Sequence, residues 1–155
     1  MIKRHHQMQK TLEDVDPMVM SLRAAVGMVL KGDDVLRCEI SVAEALTNIV
    51  MHAAPKCADA YIDVIVTEIP QAVVVEIFDP AGAEAFDPRD HVTVFHTVDP
   101  MAESGRGLGL ILKCADVVRY GPVDGRNRLS LAFRKTGGNR ARPETPIAMQ
   151  SGETS

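Results

Sequence analysis

Ala60-Tyr-Ile-Asp-Val-Ile-Val-Thr67 and Val73-Val-Val-Glu-Ile-Phe78, separated by Ile69-Pro-Gln71, decide the fold class. In the first run Ala60, Ile62, Val64 and Val66 alternate with Tyr61, Asp63, Ile65 and Thr67. The second run alternates in the same way. A period of two marks strands with unlike faces, and so short a connection makes them an antiparallel hairpin. Upstream, Asp16-Pro17 opens a run from Met18 to Leu30 with apolar residues at helical spacing, closed by Lys31-Gly32-Asp33. Asp33 suits an N-cap, and a second helix should run from Asp34 to about Ala53 before Pro55 stops it.

Downstream, Asp79 to Ser104 is irregular and holds three prolines. A connection of this length within a small domain is typically a lid or binding loop. A third helix fits Gly107 to Ala115, with Leu108, Ile111, Leu112 and Ala115 on one stripe. Val117 to Tyr120 and Leu129 to Arg134 read as a closing hairpin around Gly121-Pro122 and Gly125. The first eleven residues alternate poorly, so a strand there is weakly marked. From Thr136 the chain is Gly, Pro, Ser, Thr and charge, which predicts a disordered tail over 136–155 behind a folded domain over 1–135. Helices grouped early and late, with hairpins between, predict an α+β two-layer sandwich: a mixed, mostly antiparallel sheet with helices on one face.

The 155 residues suffice for one domain with its own core, which must be aliphatic because aromatics make up only 4%. A net charge of −4 without a basic run argues against direct nucleic-acid binding. No apolar stretch approaches the roughly eighteen residues that span a bilayer, and Met1-Ile-Lys-Arg-His-His6 leads into no apolar signal region. Cys38, Cys57 and Cys114 are odd in number and far apart, which points to reduced thiols and a cytoplasmic setting.

Three elements carry chemistry. In Ser41-Val-Ala-Glu44-Ala-Leu-Thr-Asn48-Ile-Val-Met-His52, residues four apart form one stripe, so Glu44, Asn48 and His52 stand in line on a largely apolar helix. An Asn oxygen suits Mg²⁺, and a Glu one turn away can take a proton from a hydroxyl. A stripe that only meets water has the same spacing. In Ser104-Gly105-Arg106-Gly107-Leu108-Gly109, glycines at a helix start leave bare N–H groups for phosphate, with Arg106 adding charge. A flexible turn with a close helix–sheet contact also explains them. Asp79, leaving a strand before Pro80-Ala-Gly82, could accept a hydrogen bond from an exocyclic amine of a base. Asp-Pro after a strand is also an ordinary turn.

The order Glu-Ala-x-Thr-Asn-x-x-x-His, then Phe-Asp-x-x-Gly, then Gly-Arg-Gly-Leu-x-Leu resembles the N, G1 and G2 boxes of the GHKL ATPase superfamily. Within it the chain is similar to the bacterial anti-sigma-factor serine kinases of the RsbW and SpoIIAB type, over about residues 15 to 135. Phe86-Asp87-Pro88, His96-Thr-Val-Asp99, Ala115-Asp-Val-Val-Arg-Tyr120 and Leu129 to Lys135 add to the likeness. The resemblance implies an ATP site with Mg²⁺. Glu44 would be the catalytic base and Asn48 the metal ligand. Asp79 and Gly82 would meet the adenine, with Ser130 as a hydroxyl near it. Gly105, Arg106, Gly107, Leu108 and Gly109 would wrap the phosphates under a lid from about Ala83. It further implies phosphorylation of a serine on an anti-anti-sigma (STAS-domain) protein, capture of a sigma factor through the surface of Met18 to Leu30 around Arg23, and a homodimer. Gly82 falls one residue later than in the family, and Pro80 removes a backbone donor. A non-enzymatic binding protein built on the same fold is the competing reading.

Overall fold

The computed structural model describes residues 1–52, 61–80, 103–135 and 149–151; for His52, 103–108 and 149–151 it describes the backbone alone. Strand β1 (Lys3–Gln9) is followed by a 3₁₀ turn (Leu12–Asp14) and two helices, α1 (Val15–Val26) and α2 (Asp33–His52). Then come β2 (Tyr61–Ile69), β3 (Ala72–Phe78), α3 (Glu103–Cys114), β4 (Val117–Val123), β5 (Arg126–Arg134) and a short β6 (Met149–Ser151). The strands form one sheet in the order β1-β2-β3-β5-β4-β6. The first five are antiparallel to their neighbours, and β6 lies parallel to β4.

The expected hairpin is β2–β3, with Ile69 opposite Ala72 across Pro70-Gln71. Its period of two puts Ile62, Val64, Val66, Val73, Val75 and Ile77 in the core. Leu129, Leu131 and Phe133 of β5 face the same way, and the helices cover that face with Leu22, Val26, Val42, Leu46, Ile49 and Ile111. The other face carries no helix among the described residues. The molecule is therefore the α+β sandwich that the sequence predicts.

Several boundaries differ from the sequence reading. α1 begins three residues before Met18, because Pro17 fits the first helical turn, where its missing N–H is no loss. It stops at Gly27, whose N–H bonds to the Arg23 carbonyl at 2.8 Å. A Cβ on Gly27 would sit 2.9 Å from that oxygen, so the close approach requires glycine. Met18, Val19, Leu22 and Val26 are core residues rather than surface, whereas Met20 and Met28 are exposed.

The closing hairpin is longer than expected. Gly121-Pro122 continues β4, and the turn is Asp124-Gly125, with φ of 52° and 79°. Two successive positive φ values define the two-residue turn that matches strand twist. β1 exists although its alternation is faint, for it is an edge strand whose Lys3, His5, Gln7 and Gln9 are exposed. Three residues of the segment expected to be a disordered tail form β6, opposite Val118, Arg119 and Tyr120. The rest of that tail, and the proposed lid with Gly82, lie outside the described residues.

Candidate functional site

α2 lays one stripe on the sheet: Cys38, Ser41, Val42, Ala45, Leu46 and Ile49 are buried. Glu44 and Asn48 stand at the edge of that stripe, half-buried and one turn apart. Neither side chain has a hydrogen-bond or ion-pair partner among the described residues. Thr47, between them, is occupied by its own helix, donating to the Ala43 carbonyl at 2.7 Å. An unengaged carboxylate and carboxamide beside a core are free to serve a ligand. His52 ends α2, and its side chain is not described.

α2 packs directly against α3, so the helix with Glu44 and Asn48 adjoins the glycine-bearing helix. α3 starts at Glu103, four residues earlier than predicted, so Gly105 lies inside it rather than before it, and Gly107 and Gly109 fall in its second turn rather than at its start. Ile111 and Ala115 are fully buried, and Leu112 packs against the core from a partly exposed position. That stripe holds the helix despite a cost of about 1 kcal/mol for each internal glycine. The free N–H groups of a helix belong to its first turn. Here they fall on Glu103 to Arg106, so Gly107, Leu108 and Gly109 are not amide donors of the N-terminus. Those glycines can only offer bare backbone on the flank of the helix.

Asp79 follows β3 on the helix-covered face, in phase with Val75 and Ile77, and is 2% exposed. Its N–H donates to the Asn127 carbonyl at 2.9 Å. Burial pushes its carboxyl up to about 6, against a hydrogen bond from the Asn127 side chain and the charge of Arg126, both of which lower it. Its Oδ2 is buried with no hydrogen-bond partner among the described residues. A carboxylate kept away from water with one oxygen unsatisfied is poised for a donor from a ligand. The exocyclic amine of a purine is such a donor, so this residue fits a nucleotide base.

Ser130 does not join Asp79. It lies between Leu129 and Leu131, whose side chains enter the core, so its own points to the uncovered face beside Glu76 and Arg119. Asn127, two residues before Leu129 and therefore in phase with it, takes the place beside Asp79. The sequence held a signal for it. With the turn confined to Asp124-Gly125, Asn127 is opposite Asp79 in register; with the turn read from Gly121 to Gly125 and the strand begun at Leu129, that pairing is invisible. Arg126 was also missed, although its guanidinium grips the Asp79 carbonyl from Nε at 2.9 Å and Nη2 at 2.7 Å.

The adjacent histidines are divided by the pleat of β1. His5 pairs with Asp63 at 2.9 Å, and half-buried His6 faces the helices with its Nε2 unpartnered. Among the described residues no group of three or more His, Cys, Asp or Glu could hold a metal ion. A metal at Asn48 would therefore depend on ligand oxygens, which suits Mg²⁺ with phosphates. No helix among the described residues is long and apolar enough to cross a membrane.

A search of curated proteins finds no match to this chain. The family model for the histidine kinase-like ATPase domain matches residues 8–133, a span that takes in α2, the Asp79 corner and α3. Domains of this kind bind ATP, usually with Mg²⁺. With most of its length matched and the sandwich fold in place, the chain belongs to the histidine kinase-like ATPase domain family of the GHKL superfamily.

Proposed function

We propose that this protein is an ATP-dependent serine kinase and anti-sigma factor that acts in the cytoplasm. It transfers the γ-phosphoryl group of ATP to a serine of a STAS-domain protein, holds a sigma factor by a separate surface, and works as a homodimer. The observations that support the nucleotide part are the packing of α2 against α3 and, on the helix-covered face of the sheet, the buried Asp79 with an unsatisfied oxygen. The kinase part rests on Glu44, a carboxylate without a partner among the described residues, one turn from Asn48.

Phosphoryl transfer is governed by positioning and charge neutralisation. Asp79 and Asn127 orient the base, and Asn48 would hold the metal. Mg²⁺ bound there would neutralise phosphate oxygens. Main-chain N–H groups of the first turn of α3 donate to the same oxygens. Glu44 takes the proton of the attacking serine hydroxyl as the new O–P bond forms and the bond to ADP breaks.

Incubation with radiolabelled ATP and a STAS-domain substrate tests this. The expected product is acid-stable phosphoserine, with transfer lowered about 10²- to 10⁴-fold in Glu44→Ala while ATP binding persists. Full activity in Glu44→Ala would remove its role as base. Pro80 after Asp79 favours the non-enzymatic alternative, which predicts partner binding without transfer in the wild type. Acid-labile label would instead indicate phosphohistidine.

A further inference from the structure

We infer that Arg126 is the positioning residue that fixes Asp79 for recognition of the adenine amino group. The inference rests on the nucleotide site proposed above. Asp79 leaves β3 into Pro80, which has no N–H to continue the ladder. The strand end must therefore be held by something else. The Arg126 guanidinium supplies that hold by donating twice to the Asp79 carbonyl, at 2.9 and 2.7 Å.

The guanidinium is itself fixed. Its Nη1 pairs with Asp63 Oδ2 at 2.6 Å, its Nη2 reaches the Tyr61 carbonyl at 3.4 Å, and its Cζ lies 5.7 Å from the Phe78 ring centroid. Asp63 is then tied to β1, accepting from Gln7 Nε2 at 3.1 Å and pairing with His5 Nε2 at 2.9 Å. One side chain thus crosses β3 and links β5 to β2. The planar fork of arginine can hold a carbonyl and a carboxylate together, which the single ammonium of lysine cannot do with the same geometry. With the Asp79 N–H held by the Asn127 carbonyl at 2.9 Å and its own carbonyl held by Arg126, the backbone is fixed on both sides of Cα, and so is the direction in which the Asp79 side chain leaves it.

The test is the affinity of the full chain for ATP and for ITP, which carries a carbonyl oxygen where adenine has its amino group. Arg126→Lys should weaken ATP about tenfold and leave ITP nearly unchanged, so the preference for ATP falls. Asp63→Asn, which frees the guanidinium on one side only, should lose less. Equal weakening of both nucleotides in Arg126→Lys would show general loosening and overturn the inference, as would unchanged ATP affinity or a larger loss in Asp63→Asn. If wild type binds neither nucleotide, the nucleotide site itself is refuted and this inference falls with it.

Discussion

At the scale of single residues, their surroundings shift the Asp79 and Asp63 carboxyls in opposite directions. The Asp79 carboxyl is pushed up to about 6 from 3.8, chiefly by burial. The folded state therefore binds that proton more tightly than the unfolded chain does. Its contribution to stability is greatest below the unfolded value and declines as pH rises through about 6, by an amount on the order of 2–3 kcal/mol. Asp79→Asn should thus raise the melting temperature at pH 7.5 and give little gain at pH 4. A lower melting temperature at pH 7.5 would contradict this reading. The same substitution should weaken ATP, because an amide cannot replace the carboxylate as an acceptor on equal terms. In the native chain, ATP affinity should weaken as pH falls through 6.

Burial alone would raise the Asp63 carboxyl too. Hydrogen bonds from Arg126, His5 and Gln7, with the Arg126 charge, outweigh burial and hold it below the usual carboxylate range. Its stabilising share is present above the unfolded value and is lost as pH falls below it. Cys38 shows burial without compensation: the thiol is raised to about 12, by burial first and by Glu39 second. Only the thiolate attacks alkylating reagents, so Cys38 should resist iodoacetamide until the protein unfolds. Mass spectrometry of labelled peptides, with and without denaturant, checks this.

At the scale of elements, α2 carries an uncompensated polar group. Ser41 is fully buried, and its hydroxyl has no partner. An unsatisfied buried hydroxyl costs roughly 1–3 kcal/mol, and alanine is the better helix former. Ser41→Ala should therefore stabilise the fold by about 1 kcal/mol in urea unfolding. A loss of stability would mean that the hydroxyl has a partner in solution. In the β4–β5 turn, Gly125 at φ 79° should not tolerate a side chain. Gly125→Ala should cost about 1 kcal/mol or more.

These elements also show what was legible in the chain. α2 was legible because Gly32 and Pro55 bracket a clean apolar stripe. The β2–β3 hairpin was legible because alternation is strict on both sides of a short turn. β1 was faint because one face of an edge strand meets water, and its outward residues are polar. The β4–β5 turn was read too wide because Gly121-Pro122 resembles part of a turn, whereas Pro is tolerated near a sheet edge. β6 was hidden because its pairing depends on β4, not on local composition.

At the scale of the whole molecule, the candidate site joins three places far apart in sequence: α2, the start of α3 and the end of β3 with its β5 neighbours. Glu44, Asn48 and Asp79 could be named from local pattern because each sits at a marked position. Asn127 and Arg126 could not, because their roles come from the register of β5 against β3 and from a side chain that crosses a strand. The same geometry makes the sheet a mechanical base for the Asp79 corner. Loosening the β5–β2 link should affect base recognition more than the phosphate end.

The central proposal is that ATP binds between α2, α3 and Asp79 with a Mg²⁺ ion on Asn48. Calorimetric titration of ATP into wild type and Asn48→Ala, each with Mg²⁺ and with EDTA, tests it most directly. The account predicts one ATP per chain, affinity that falls at least about tenfold when Mg²⁺ is removed from wild type, and an Asn48→Ala protein in which Mg²⁺ no longer matters. No ATP binding to wild type, or equal Mg²⁺ dependence in both proteins, would contradict it.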